Sequence, residues 1–214
     1  EGAKDVAIWG ARRAAGRWLE PVELVRERDI PTWNPVLFVT RDGRLWLYYK
    51  FGPAPDNWTA GRMFSTDKGK AWSQAEHLPA GIYGPIRAKP LVLADGTIVS
   101  GTSVESYKSW STWIERSTDG GMTWTKFGPI SVAASKNPPL DPRTGQPRTS
   151  GIIQPAIVSM GGKKLRLYAR ATTDIGKICV ADSADLGKTW TQAREMDLPN
   201  PNSGIDAVAL RDGR

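Results

Sequence analysis

Ser117-Thr118-Asp119-Gly120-Gly121-Met122-Thr123-Trp124 recurs along this chain in variant form. Ser65 to Trp72 (Ser-Thr-Asp-Lys-Gly-Lys-Ala-Trp) and Ser183 to Trp190 (Ser-Ala-Asp-Leu-Gly-Lys-Thr-Trp) share its pattern, S-x-D-x-G-x-[T/A]-W. A worn fourth copy runs from Ala11 to Trp18, with Arg13 where the Asp should be and Ala15 where the Gly should be. The tryptophans are 54 residues apart (18 to 72), then 52 (72 to 124), then 66 (124 to 190). A period of about 50 residues marks a repeat architecture. Each residue type has a task in a turn. Asp and Ser bond their own turn backbone, Gly supplies a positive φ, and Trp covers the turn with a large apolar body. The motif therefore predicts a rigid turn between strands, and Asp67, Asp119 and Asp185 are not expected to be catalytic.

The rest of each period reads as a hairpin. Val36 to Thr40 and Leu45 to Lys50 flank Asp42-Gly43, Leu91 to Ala94 and Thr97 to Thr102 flank Asp95-Gly96, and Ala156 to Met160 and Leu165 to Arg170 flank Gly161-Gly162. Asp-Gly and Gly-Gly between β-branched, aromatic and aliphatic runs are strong hairpin signals. A third strand leads into each motif (Gly61 to Ser65, Trp113 to Ser117, Lys177 to Ser183). A fourth follows its Trp (Ser73 to Leu78, Thr125 to Pro129, Thr191 to Leu198). Four strands per repeat, without sustained helical periodicity, predict an all-β fold of β-propeller blades. Blades are expected near 1–32, 33–82, 83–150 and 151–200, with a further one starting at 201–214. There Ile205 to Leu210 should open a hairpin and Asp212-Gly213 should turn it. A propeller closes its ring to hide strand edges, so about four blades are expected to belong to one larger propeller.

Composition narrows the chemistry. The 214 residues include 10 Trp, 22 Gly and 16 Pro, which suit many turns and stacked sheets. No run of about 18 apolar residues occurs, so no membrane span is expected. The formal charge is +7, but the cations are dispersed over motif turns and hairpin tips and no nucleic-acid motif accompanies them. His77 is the sole histidine and Cys179 the sole cysteine, which leaves neither a zinc site, a disulfide nor a Ser-His-Asp triad in view. No P-loop or dinucleotide fingerprint is present, and no cofactor is expected. Residues 132 to 150, rich in Pro and Gly, lengthen the third period and predict a loop insertion of the kind that rims binding faces.

The repeated motif resembles the Asp box of sialidases, the bacterial neuraminidase repeat. The resemblance extends through Trp33-Asn34-Pro35, Gly84-Pro85-Ile86-Arg87-Ala88-Lys89-Pro90, Gly151-Ile152-Ile153-Gln154-Pro155 and Pro199-Asn200-Pro201-Asn202-Ser203-Gly204. It covers essentially the whole chain. It implies a six-bladed propeller, secreted or periplasmic, that acts on a terminal acidic sugar of an oligosaccharide or glycan. Three arginines would hold the sugar carboxylate, a Tyr paired with a Glu would be the nucleophile, and an Asp the acid/base. A neutral Tyr activated by Glu avoids the repulsion that a carboxylate nucleophile would meet from an anionic sugar. The first-arginine segment of sialidases, F/Y-R-I-P, is missing here, and the nucleophilic Tyr is not located.

Aligning the repeats puts Asn34, Lys89, Gln154 and Asp206 at one recurring spot, at or near a Pro where the innermost strand begins. These residues are expected to ring the channel. Glu105 and Arg170 close their hairpins, Glu105 as the partner of the Tyr and Arg170 as a carboxylate-binding arginine, with Arg87 as a second. Asp5 matches the early acidic segment that carries the acid/base. The catalytic candidates are thus Glu105, Asp5 and Asp206. The substrate-contact candidates are Arg87, Lys89, Arg170, Asn34, Gln154 and Tyr107, and no metal ligands are expected. Two other readings stay open: a lyase acting on uronic-acid glycans, and a carbohydrate-binding propeller without catalysis.

Overall fold

The structure, a computed structural model, describes residues 2–106, 108–138, 140–147 and 149–210. Two compact units divide the chain, Glu1–Tyr83 and Gly84–Arg214.

In the first unit, β1 (Ile8–Gly10), β2 (Arg13–Ala14), β3 (Arg17–Trp18) and β4 (Val22–Val25) precede β5 (Thr32–Val39), β6 (Leu45–Phe51), β7 (Thr59–Ser65) and β8 (Glu76–His77). The last four form one antiparallel sheet in chain order. Val36 pairs with Tyr48 and Val39 with Leu45, so Asp42-Gly43 turns the hairpin as its residues predict. β1 pairs with β4, and Ile8 and Val25 pack against Leu47, Tyr49, Phe51 and Met63 of the sheet. Its other face carries Trp46, Phe64 and Tyr48 around Arg62, whose guanidinium lies over the Trp46 ring and bonds Tyr48 and Glu76.

Ala11 to Trp18 does not form a fourth copy of the motif turn. β2 and β3 make a two-stranded ribbon around Ala15 and Gly16, both at positive φ, and Trp18 is 71% exposed. Without the Ser and Asp no side chain collects the turn amides; Arg13 Nε instead donates to the Gly16 carbonyl at 3.3 Å, and the Trp is not brought down on the turn.

The second unit holds two four-stranded antiparallel sheets. One is built from β9 (Leu91–Val92), β10 (Ile98–Glu105), β11 (Trp110–Ser117) and β12 (Thr125–Ile130). The other contains β13 (Ile152–Ser159), β14 (Leu165–Ala171), β15 (Lys177–Ser183) and β16 (Arg194–Pro199). Val99, Ile114 and Ile130 of the first pack on Ile152, Ile157, Leu165 and Leu167 of the second, with Cys179 in the same core. Gly101 makes the close approach possible, because a Cβ there would stand 2.6 Å from the Pro155 ring and carbonyl. The expected strand over Ile205 to Leu210 does not form, and its turn at Asp212-Gly213 lies outside the described residues. With few apolar neighbours to cover it, this segment is largely exposed.

The three full motifs fold alike. In each, the serine hydroxyl (Ser65, Ser117, Ser183) donates to the Asp carboxylate and accepts the amide of the glycine four residues on. The carboxylate accepts two further amides, Lys70 and Ala71, Met122 and Thr123, or Lys188 and Thr189. The indoles of Trp124 and Trp190 donate to Gly121 and Gly187. These turns have no carboxylate left over for chemistry.

Desolvation pushes the Asp119 and Asp185 carboxyls up, but hydrogen bonds from Thr123 and Thr189, and then from the serine and backbone, outweigh it and hold both at about 2. In the first motif Ala71 replaces the threonine, and Asp67 is lowered by the Ala71 amide, the Ser65 hydroxyl and, more weakly, Lys70, without a threonine hydroxyl. The folded carboxyls lie below their ordinary value of 3.8. Their stabilisation is therefore complete above about pH 4 and lost as pH falls through about 2. Thr123→Ala and Thr189→Ala should each cost at most about 1 kcal/mol, because the carboxylates face solvent. In both variants the acid-induced loss should be smaller and should be complete at a higher pH than in the parent, whereas Ala71→Thr should raise stability. Urea unfolding across about pH 2–5 measures all three effects.

Candidate functional site

A β-bulge opens the first strand of two of the sheets. Pairing shifts between Trp33 and Val36 and between Ile153 and Ala156, leaving Asn34-Pro35 and Gln154-Pro155 outside the ladder. Asn34 and Gln154 take positive φ values of 45° and 54°. For a residue other than glycine, and one that precedes proline, this conformation is strained and must be enforced by its surroundings. At Gln154 the enforcement is visible. Its amide donates to Ser103 Oγ at 2.7 Å, and Pro155 is seated on Gly101. The side chain is 6% exposed, and its Oε1 is buried without a hydrogen-bond partner.

In the sheet of β9 to β12 the equivalent conformation falls on Arg87, not on Lys89. Arg87 has φ 67°, inside a tight turn closed by the Ala88 amide donating to Ile86. Lys89 is exposed and has no such constraint. Pro90 follows Lys89 as Pro35 and Pro155 follow Asn34 and Gln154, but the positive-φ residue lies two positions earlier, before the strand. A similar correction applies at the far end. Asp206 is exposed, outside any strand, and its carboxylate accepts the amide of Ala207. The positive-φ residue there is Asn202, at 66°. Tyr107 lies outside the described residues.

Arg87, Glu105, Gln154, Arg170 and Asn202 come together in the second unit. Glu105 ends β10 and pairs with Trp110, while Arg170, near the end of β14, pairs with Ile153 beside the Gln154 bulge. The Arg170 Nη1 donates to the Asn202 carbonyl at 2.9 Å, and its guanidinium lies over the Trp110 ring at 5.7 Å. Its Nε is buried and unpartnered, as is Asn202 Oδ1. Burial weakens the hold of Arg170 on its proton, Glu105 opposes this, and the neighbouring charge of Arg87 adds to it. Trp110 is fixed from below by Gly151, where any side chain would overlap the Trp110 carbonyl.

The loop of residues 132–150 is stitched to this edge. The Thr149 amide donates to Lys108, Ser150 Oγ donates to Asp174 at 2.6 Å, and the Ser135 amide donates back to Ser150. Asp5 and Asn34 belong to the first unit. There Thr32 bonds the carbonyl of Val6 through both its amide and its hydroxyl, and the exposed Asp5 accepts Arg26 at its backbone carbonyl. Among the described residues no group of His, Cys, Asp and Glu is arranged to hold a metal, and no helix is long and apolar enough to cross a membrane.

The BNR repeat-like domain model matches residues 1–214. The chain belongs to the BNR repeat-like domain family. No curated protein is significantly similar to it in sequence. Among solved structures, this BNR repeat-like chain is similar to a protein of unknown function from Dyadobacter fermentans, at 19% identity and a TM-score of 0.69 over 92% of this chain and 59% of that one. It also resembles the Hadza microbial sialidase Hz136, at 16% identity and a TM-score of 0.63 over 90% and 40% of the two chains. A third is the α-L-arabinanase of Penicillium chrysogenum, at 18% identity and a TM-score of 0.57 over 92% and 55%. The chain spans about 40–59% of the length of these structures. At such identities the likeness is one of fold, and the fold is propeller-like.

Asn202, Trp110 and Ser103 were not singled out from the sequence. The Asn-Pro and Gln-Pro pairs at 34–35 and 154–155 carried a signal for the bulge, but Trp110 is one of ten tryptophans and nothing in its local sequence sets it apart. Gln154→Gly should leave stability within about 1 kcal/mol of the parent, because relief of left-handed strain offsets the added chain entropy of glycine. Gln154→Ala keeps the strain, loses the side chain and should be the less stable of the two. Chemical denaturation of both variants checks this order.

Proposed function

We propose that this chain is part of a sialidase-like glycoside hydrolase that cleaves a terminal anionic sugar from a glycan, within a six-bladed propeller. The observation that carries the reading is the placement of Arg87 and Arg170 beside one another with Glu105 at the same edge. The charge of Arg87 acts unfavourably on Arg170 and Glu105 offsets this only at Arg170, so a bound anion would be favoured, and planar guanidinium forks suit a carboxylate. Arg170 is positioned for this by Trp110 and the Asn202 carbonyl, with its Nε still to be satisfied. Gln154, next to the Ile153 that pairs with Arg170, has an unpartnered Oε1 and would offer an acceptor to a sugar hydroxyl. Glu105 would activate the nucleophilic Tyr, and Asp5 would serve as acid/base, as the family resemblance implies. Within the second unit Lys89 and Asp206 have a weaker claim, because no described contact joins them to the arginine pair, and the roles of Asp5 and Asn34, in the first unit, rest on the resemblance alone.

The test uses the complete protein with a fluorogenic sialoside, a fluorogenic arabinofuranoside and a uronic-acid polysaccharide. Fluorophore release from the sialoside is expected. Unsaturated product from the polysaccharide, seen as ultraviolet absorbance, would instead establish a lyase, and silence with all three would point to a binding propeller. Glu105→Gln should lower turnover at least about a hundredfold with little change in thermal stability. Arg170→Lys, which keeps the charge but loses the fork, should raise KM about tenfold or more. Steady-state kinetics on both variants measure these effects.

A further inference from the structure

The turn that follows β16 touches both arginines. Asn200 closes it on itself, donating from Nδ2 to the Ser203 carbonyl and accepting the Ser203 amide at Oδ1, while its own amide is tied to Gly176. Asn200 is 7% exposed, so the turn is anchored in the sheet rather than draped over it. Within it, Asn202 adopts φ 66° and presents its carbonyl to Arg170. Two residues on, Gly204 lies against the other guanidinium. A Cβ built on Gly204 would overlap Nε, Cζ and Nη2 of Arg87. The backbone of Gly204 is not left-handed, so its need for glycine is one of space and not of conformation.

We propose that Gly204 is a specificity-determining position: the bare backbone there seats the Arg87 guanidinium, and the Asn200–Gly204 turn so sets the spacing of the arginine pair that selects an anionic over a neutral sugar. This rests on the reading of the site given above and deepens it. The physical argument lies in the difference between the two arginines. Arg170 is half-buried, stacked on Trp110 and bonded to Asn202, so it is fixed from three sides. Arg87 is exposed, and the contact that defines its place is with Gly204. A methyl group at Gly204 would leave the turn and the strands intact, since the atom it meets is the far end of a long side chain. It would swing the Arg87 fork away and leave one arginine where a carboxylate needs two.

The experiment measures affinities of the complete protein for N-acetylneuraminic acid and for neutral arabinose by calorimetry, in the parent, Gly204→Ala, Arg87→Ala and the double variant. Gly204→Ala should unfold at the parent temperature and lose about tenfold or more in affinity for the acidic sugar, with no loss for the neutral one. It should cost nothing further in the Arg87→Ala background, because two residues acting through one contact are not additive. The Arg87 Nε resonance in nitrogen-15 spectra, assigned with Arg87→Lys, should move in Gly204→Ala while that of Arg170 stays. A parent that prefers the acidic sugar combined with an unaffected Gly204→Ala overturns the inference alone, as does an equal loss in the Arg87→Ala background. A parent with no preference for the acidic sugar overturns the functional reading and this inference with it.

Discussion

Pro155 resting on Gly101 governs how the two sheets of the second unit meet. The contact leaves no room for a side chain on β10, and it fixes β13 along that strand. Two hydrogen bonds complete the seam, from Thr112 Oγ1 to the Ile152 carbonyl at 2.8 Å and from the Gln154 amide to Ser103 Oγ at 2.7 Å. All of these groups are buried, so each bond also removes the penalty that an unpaired polar atom would carry. With the seam fixed, the strained bulge at Gln154 has only one way to point, and Glu105, Arg170 and Gln154 share an edge. Strain at the bulge is tolerated because the apolar core of Ile114, Ile152, Leu165 and Leu167 holds the strands on either side.

The motif turns and the site divide the labour of the blades. Asp67, Asp119 and Asp185 direct their carboxylates to the backbone amides and serine hydroxyls of their own turns. At the arginine edge the pattern reverses. Gln154 Oε1, Arg170 Nε and Asn202 Oδ1 are buried and have no partner. Native interiors rarely leave polar atoms in this state, which sets these three residues apart from the fully bonded motif turns.

The strands and the motif turns were legible in the sequence because their information is local. Asp42-Gly43 and Gly161-Gly162 dictate hairpins by the φ values they allow, and Gly43, Gly161 and Gly162 all adopt positive φ. Glu105 and Arg170 fall at or next to the ends of β10 and β14, as the sequence expected, because the hairpin turns fix where those strands stop. The misreadings have local causes too. Ala11 to Trp18 kept a Trp but lacked the Ser and Asp that make the turn, and Pro90 imitated the prolines that follow Asn34 and Gln154. Trp110, Asn202 and Gly204 were invisible for another reason. Their importance lies in what they touch across the fold, and no spacing along the chain encodes that.

The loop of residues 132–150 closes largely upon itself. Leu140 bridges Pro147, the Asp141 amide donates to Gln146, and Gly145 donates back to Asp141, whose side chain is buried within the loop. Its root is joined to the sheets through Thr149 and Ser150, next to the turn that precedes Trp110. Such a loop behaves as a cassette. Because its tip bonds mainly to itself, a change of length there would leave the seam at Pro155 undisturbed.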